Sequence, residues 1–293
     1  MKIQRIATQA ALPACPVTVC VTVTPVALAQ NISGAILGTV KGVLQAQRPY
    51  QPWADINSTQ FGGDSTLHQL QLEAIQRCRS GLTFQIEYSW NRSLDDVPVS
   101  GGPQNIYCNR CDRGNSDGIR RNIFTLAYSY ELPFGPGKKF ANVKGVEGKI
   151  LGGWSVSGTT ILWTGTPFSV IYSPSAAGSL PSRADRIGSN TNGDGTLWFN
   201  PAAFAAPSSQ FIFGNSSRNM LFGPGAAIFD ATGSKETRLN ERCTLQFRAD
   251  FFNLPNHANF GNPGANISAP ASVGRITSAA DPRQVQFGLK FLF

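Results

Sequence analysis

The last eleven residues, 283–293, constrain the fold of this chain more than any other stretch. They read RQVQFGLKFLF, in which apolar and polar residues alternate with the two-residue period of a β-strand. The apolar face carries Val285, Phe287, Leu289, Phe291 and Phe293. A strand of about eleven residues is long enough to cross a bilayer when it is tilted. The stretch therefore indicates either the closing strand of a membrane β-barrel or the edge strand of a soluble β-sandwich.

Further stretches of the chain alternate in the same way. Strands are predicted at 65–78, 82–90, 123–130, 149–164, 168–172, 226–239, 243–253 and 283–293. Strands of soluble proteins usually run about five or six residues, whereas several of these alternate over nine to eleven. In the three cleanest strands the apolar face carries no charge, and a basic residue at the bilayer midplane would cost roughly 2–4 kcal/mol. The sequence thus predicts an all-β fold: a partial, antiparallel transmembrane β-barrel of about eight or nine strands.

The predicted strands are joined alternately by short turns and long loops. Arg79, Ser80 and Gly81 have the length of a tight hairpin turn. The polar stretches 91–120 and 173–223 are long loops, and the second is too long for an ordinary connection. We expect both of these loops to lie on the outer side of the membrane, where they would contact a ligand.

The first 29 residues have the layout of a signal peptide. Lys2 and Arg5 precede a charge-free stretch rich in Ala, Val and Thr that ends in an A-x-A site before Gln30. Cys15 follows too short an apolar run to make a good lipid-attachment site. The net charge of +8 comes from 25 basic and 17 acidic residues, and the basic ones are scattered singly, so nucleic-acid binding is not predicted. No run of eighteen apolar residues predicts a spanning helix.

Four cysteines follow the predicted signal peptide, where export would place them in an oxidising compartment. Cys108 and Cys111 have C-x-x-C spacing, which fits half a zinc site, a redox pair, a loop disulfide or two unrelated thiols. The only histidines are His68 and His257, so four metal ligands are hard to assemble. No catalytic triad, carboxylate pair or phosphate loop is found. We expect neither a cofactor nor an enzymatic activity.

Several blocks of this sequence resemble one family, the Oar-like group of TonB-dependent outer-membrane receptors. They are LTFQIEYSWNRSLDD at 82–96, YELPFGPG at 130–137, GGW at 152–154, GPG at 223–225, LQFRADFFNLPNHAN at 245–259, and the last strand. In addition, QNISGAILGTVKG at 30–42 resembles the first strand of the carboxypeptidase-regulatory-like domain of such receptors. The resemblance implies a signal peptide at 1–29, a remnant of that domain with a junction at 30–47, and the carboxyl-terminal part of the receptor barrel at 48–293.

The resemblance also implies a location, partners and a function. Intact relatives lie in the outer membrane and import large or scarce solutes with energy from the TonB complex. No plug or coupling box is recognisable here, and transporters of this class close about 22 strands, more than twice the number predicted. The chain either closes into a small barrel or is not stably inserted. The expected partners are outer-membrane lipid and the barrel-assembly machinery, which would read the terminal aromatics Phe287, Phe291 and Phe293.

Candidate functional residues lie in the loops and on the polar strand faces. Trp198, Phe199 and Phe204 either contact a substrate or pack their own loop together. Arg248 and Asp250, two residues apart on one strand, are expected to form a polar pair on the lumen side. His257 is expected in a strand-to-loop turn. The alternative function is a secreted β-rich adhesion or carbohydrate-binding module with no transport role.

Overall fold

The computed structural model describes residues 18–22, 30–31, 62–78, 81–98, 103–105, 108–143, 145–173, 182–189, 191–209 and 212–293. This part of the chain is dominated by β-structure. Its strands are β1 Thr18–Thr22, β2 Gln30–Asn31, β3 Asp64–Arg77, β4 Leu82–Asp95, β5 Gly114–Asn115, β6 Asn122–Glu131, β7 Trp154–Trp163, β8 Pro167–Phe168, β9 Ile171–Tyr172, β10 Ser182–Arg183, β11 Asp185–Arg186, β12 Phe204–Ala205, β13 Leu221–Phe222, β14 Ala226–Arg238, β15 Thr244–Phe252 and β16 Gln284–Leu292. The helices are α1 Gly145–Leu151 and two 3-10 turns, Asn109–Asp112 and Pro201–Ala203.

One antiparallel sheet of ten strands forms the body of the molecule. Its strands follow the order β1-β3-β4-β6-β7-β14-β15-β16, with β2 beside β3 and β5 beside β4. The seven long strands thus pair with their neighbours along the chain, as expected for the predicted antiparallel arrangement. Within the described residues, the sheet remains open at the outer edges of β1 and β16. The all-β, antiparallel prediction is confirmed.

The pairing register gives this sheet one apolar face and one polar face. Directly paired residues share a face, so each row can be read across the strands. One apolar row contains Leu72, Tyr88, Phe124, Leu162 and Ala227. One polar row contains Thr83, Ser129, Ser157, Thr232, Asp250 and Gln286. A slip of one residue would exchange these faces, so the sequence alternation specifies the register.

Three long connections between described strands leave the sheet at the same end. They are residues 96–121, 164–225 and 253–283, and we call their described parts the cap. Within the cap, short strands pair as β8 with β13, β9 with β10, and β11 with β12. The opposite end carries the hairpin turn at 78–82, the connection 132–153 with α1, and the turn at 239–243.

The buried hydrophobic core lies in the cap and not in the sheet. Its described members are Phe168, Val170, Ala184, Phe199, Ala203, Phe204 and Val273. Ala249 is the buried hydrophobic residue that the described part of the sheet contributes. The apolar face of the sheet is therefore left uncovered by the described protein. The helices in this part of the chain are too short and too polar to span a membrane.

Three sequence predictions are corrected by the structure. The strand predicted at 149–164 begins only at Trp154, because residues 145–151 form α1 and Gly153 then adopts a positive φ of 76°. The loop predicted from residue 91 begins at 96, since β4 continues to Asp95. The strand predicted at 168–172 is divided between β8 and β9 in the cap. Most of 30–42 lies outside the described residues, and the domain boundaries stay a prediction.

Candidate functional site in the cap

A buried ion pair joins two loops of the cap. The Arg183 guanidinium donates to the Asp112 carboxylate, and its Nε donates to the Ser216 carbonyl at 2.7 Å. The Asp112 side chain is fully buried and also accepts from the Gln104 backbone N–H at 2.6 Å. A buried charge is tolerated only when it is paired and hydrogen-bonded in this way. The pair therefore fixes the positions of Gln104 and of residues 108–112 against β10.

Cys108 and Cys111 form a disulfide across the 3-10 turn that holds Asp112. The Cys111 carbonyl accepts a hydrogen bond from Arg183 at 3.1 Å, so the disulfide-bonded turn is part of the same junction. This outcome selects the loop disulfide from the alternatives that the C-x-x-C spacing allowed. Among the residues described, no group of three His, Cys, Asp or Glu side chains is placed to hold a metal ion.

A second ion pair joins the cap to the sheet. The Arg218 guanidinium donates to the Asp95 carboxylate at the end of β4 and to Asp117 at 3.3 Å. The next residue, Asn219, has a positive φ of 53° and donates to the Asn115 carbonyl at 2.7 Å. Asn tolerates this left-handed conformation better than most residues. The loop containing Arg218 is thereby held directly over β4 and β5.

The three predicted loop aromatics have different environments. Phe199 is 2% exposed and packs 5.9 Å from both Phe168 and Phe204, so Phe199 and Phe204 belong to the core of the cap. Trp198 is 42% exposed, and its indole N–H donates to the Phe222 carbonyl at 2.8 Å. Two of these aromatics therefore pack the loop together, and Trp198 is available to a ligand.

Trp198 lines an open cleft of about 730 Å³ in the cap. The cleft runs between residues 193–198 and residues 274–277. The two walls are tied together because the Trp198 backbone N–H donates to the Gly274 carbonyl at 2.7 Å. Arg275 is exposed on one wall, and Thr196 and Thr277 supply hydroxyl groups. The cleft combines an indole ring, a guanidinium and hydroxyls, which suits a ligand with an apolar face and hydrogen-bonding edges.

A turn at Asp194 shapes one wall of this cleft. Its carboxylate accepts hydrogen bonds from the Thr196 backbone N–H at 2.9 Å, the Thr196 hydroxyl at 2.6 Å and the Leu197 backbone N–H at 3.0 Å. These bonds, led by that of the Thr196 hydroxyl, lower the pKa of Asp194 to about 2. The signal for this wall in the sequence is the Asn-Gly-Asp-Gly turn that precedes Trp198 at 192–198, from which no cleft was predicted.

The other predicted site residues lie outside the cleft. Arg248 pairs with Asp250 at 2.7 Å on the polar face, and Thr232 donates to the same carboxylate at 2.6 Å. His257 lies in a turn after β15, where its backbone N–H donates to the Asn253 side chain at 2.9 Å. These contacts explain the positions of Arg248, Asp250 and His257 without any need for a bound ligand.

The terminal aromatics lie along the outer edge of the sheet. Phe287 and Phe291 are on the apolar face of β16, and Phe287 stacks on Phe247 of β15 at 6.2 Å. Phe293 follows the strand and is almost fully exposed. Their reading by the barrel-assembly machinery stays a prediction.

The sequence was compared with those of known proteins and protein families. No curated protein matches the chain. The model of a family described as an outer membrane beta barrel domain matches residues 21–286, nearly the whole chain, and agrees with the amphipathic antiparallel sheet. The chain therefore belongs to this family of outer-membrane β-barrel proteins.

Proposed function

We propose that this protein captures a solute at the outer face of the membrane, in the cleft beside Trp198. The observation that carries the proposal is the position of the cleft. It lies in the cap, at the end of the sheet that gathers all three long connections, and it presents an indole ring next to Arg275. Long loops of outer-membrane barrels lie on the extracellular side. A solute outside the cell would therefore have access to this cleft.

The construction of the cap supports a binding role. Its hydrophobic core and its two buried arginine junctions hold the loops in one arrangement. A preformed cleft binds more tightly than flexible loops do, because less conformational entropy is lost when the ligand arrives. Two glycines of the cleft wall are required by the backbone: a side chain at Gly193 would collide with the Leu197 carbonyl, and Gly195 has a positive φ of 95°. The turn is therefore specified by its sequence.

We also propose that the protein is a shortened member of the Oar-like TonB-dependent receptors. The blocks at 82–96, 130–137 and 245–259 support this assignment, and no plug or coupling box is recognisable in the sequence. Intact relatives use that box to draw energy from the TonB complex. Uptake that depends on the proton gradient would therefore indicate that this chain is coupled to that complex.

Binding can be tested with purified protein that has been refolded in detergent. An array of glycans and peptides would be probed with the native chain and with Trp198→Ala and Phe260→Ala. Phe260 is the matched control, because it is an exposed cap aromatic outside the cleft. We expect Trp198→Ala to weaken capture of the bound class about tenfold or more, by loss of a ring contact worth about 1.5 kcal/mol, and Phe260→Ala to leave it unchanged. Equal binding by both variants would contradict the proposal.

Adhesion without transport is the second candidate function. It is favoured by the cap having its own hydrophobic core, which would present a stable surface to another cell or to a polymer. Washed cells expressing the protein would be given the ligand found on the array, with and without a protonophore. Accumulation inside the cells that stops with the protonophore indicates energised uptake. Ligand that stays at the surface under both conditions indicates capture or adhesion.

A further inference from the structure

The connection between β6 and β7 places a short helix at the end of the sheet opposite the cap. We call residues 132–153 the α1 loop. It contains the Leu-Pro-Phe-Gly-Pro-Gly turn and then α1. These residues belong neither to the cleft nor to the cap.

Contacts with the sheet place the α1 loop on the side of the apolar face. Trp154 is paired with Lys235, and Lys235 is paired with Phe247, so all three belong to that face. The Lys235 ammonium donates to the carbonyls of Lys149 at 3.1 Å, Ile150 at 2.5 Å and Gly152 at 2.9 Å. It also lies 4.9 Å from the Trp154 ring. The carboxyl end of α1 therefore lies over the margin of the apolar face.

Lys235 itself indicates where the apolar face ends. A lysine on this face would be costly in the middle of a bilayer. Lys235 lies near the end of β14. Its ammonium donates hydrogen bonds to carbonyls of the α1 loop and lies close to the Trp154 indole ring. Tryptophan and lysine side chains of this kind are typical of the boundary between hydrocarbon and headgroups.

The helix exposes apolar side chains that the described protein does not cover. Val146 is 74% exposed and Ile150 is 61% exposed, and their spacing of four residues places them on one side of α1. Leu151 is 46% exposed beside them. An unpartnered apolar stripe on so short a helix needs a covering surface.

The same loop also carries an exposed aromatic pair with neighbouring lysines. Phe134 and Phe140 are both exposed, with ring centroids 6.1 Å apart. The Lys139 ammonium lies 5.2 Å from the Phe140 ring, and Lys138 forms an exposed ion pair with Glu131 at 3.1 Å. Exposed aromatics among basic residues are typical of segments that lie on a membrane surface.

Close backbone contacts hold the helix in this position. A side chain at Gly135 would lie 2.5 Å from the Gly152 Cα atom, and one at Gly148 would collide with the Val143 carbonyl and with Pro136. Gly135 has a φ of 105°, which favours glycine. The α1 loop is thus a folded unit, and its exposed stripe is presented in one direction.

We propose that the α1 loop docks into the lipid leaflet at the end of the barrel opposite the cap. Its exposed apolar side chains are Val146, Ile150, Leu151, Phe134 and Phe140, and α1 is joined to the margin of the apolar face through Lys235. The apolar face of an outer-membrane barrel contacts lipid. Because α1 lies at the margin of that face, we expect lipid to cover its exposed side chains as well. The loop sets the depth of the barrel in the bilayer. The inference is independent of the ligand cleft.

The depth of α1 can be measured with a fluorescent probe in the full chain. Serine would replace Cys15, Cys20, Cys78 and Cys243, leaving the Cys108–Cys111 disulfide, and an NBD label would be attached to Ile150→Cys. The matched control is Ile187→Cys, an exposed cap position. Each protein is folded into vesicles of phosphatidylethanolamine and phosphatidylglycerol that carry shallow doxyl lipids. Insertion is verified in each case by gel electrophoresis in detergent, because a folded barrel that has not been boiled migrates differently from the boiled, unfolded chain.

We expect the label at 150 to shift to the blue and to be quenched roughly twofold or more, and the label at 187 to keep its emission in water. The double variant Val146→Asp with Ile150→Asp should lower the heat-shifted fraction in vesicles several-fold, while Ile187→Asp leaves it unchanged. An inserted protein whose label at 150 stays in water would overturn the proposal. Burial of that label only in cross-linked dimers would overturn it also, in favour of a second copy.

Discussion

At the scale of single residues, the junction of Asp112 with Arg183 governs the stability of the cap. Removing one partner of a buried ion pair leaves the other charge unpaired and costs about 3–5 kcal/mol. We therefore expect Asp112→Ala to open the cap to limited proteolysis, with fragments ending near residues 104–112 and 183. The barrel has separate contacts, so its heat-shifted band should persist.

Arg186→Met is the matched control for this prediction. Arg186 is exposed and donates to the carbonyls of Gly188 and Ser189, so its loss should change the cleavage rate little. Equal cleavage rates for the Asp112 and Arg186 variants would show that the buried ion pair stabilises the cap no more than an exposed arginine does.

Asp194 gives a prediction about pH. Its pKa is lowered from 3.8 to about 2 by its hydrogen bonds to Thr196 and Leu197. A lowered pKa means that the folded turn favours the ionised form, so the turn keeps its full stability above the unfolded pKa and loses it as the pH falls through the folded one. Amide proton shifts of Thr196 and Leu197, followed by NMR in micelles, should therefore move with a midpoint near 2. Asp194→Asn should abolish this titration, and a midpoint near 3.8 would contradict the assignment.

At the scale of elements, two glycines on the apolar face provide a matched comparison between neighbouring strands. A side chain at Gly158 of β7 would lie 2.6 Å from both the Asp230 carbonyl and the Tyr128 hydroxyl, whereas Gly233 of β14 has open space. Alanine in a strand is about 0.5–1 kcal/mol better than glycine where it fits. We expect Gly233→Ala to raise the unfolding temperature, measured as the temperature at which the gel band of the folded protein disappears, and Gly158→Ala to lower it. Two shifts of the same sign would contradict this reading of the face.

The long strands were predictable because their alternation reports directly on which side of the sheet each residue faces. β6, β14 and β16 differ from their predicted bounds by a residue or so. The helix α1 was missed because seven residues contain only two turns, too few to establish a helical period next to a strand. The short strands of the cap carry two residues each and have no period at all.

The cleft could not be derived from the sequence for a related reason. Phe199 and Trp198 are adjacent and equally apolar, yet one is in the core and the other lines the cleft. Which of them is buried depends on residues 274–277, which lie about 75 positions further along the chain. Contacts at such a separation leave no local signal, so only the presence of candidate aromatics was predictable.

At the scale of the whole molecule, the two faces of the sheet make different predictions for the same substitution. Leu126 and Thr125 are neighbours in the middle of β6, on the apolar and the polar face. An arginine facing lipid near the midplane costs roughly 2–4 kcal/mol. Leu126→Arg should therefore lower the urea midpoint for folding into vesicles, and Thr125→Arg, which faces Glu87 across the strands, should change it little. Similar midpoints would show that the apolar face does not meet lipid.

The placement of the hydrophobic core in the cap has an evolutionary consequence. Mutations in the cap must remain compatible with the buried residues of the cap. Mutations in the sheet must remain compatible with the bilayer. The two parts can therefore diversify at different rates under different selection. We therefore expect the cap loops to vary more among related chains than the sheet, the terminal strand and the α1 loop.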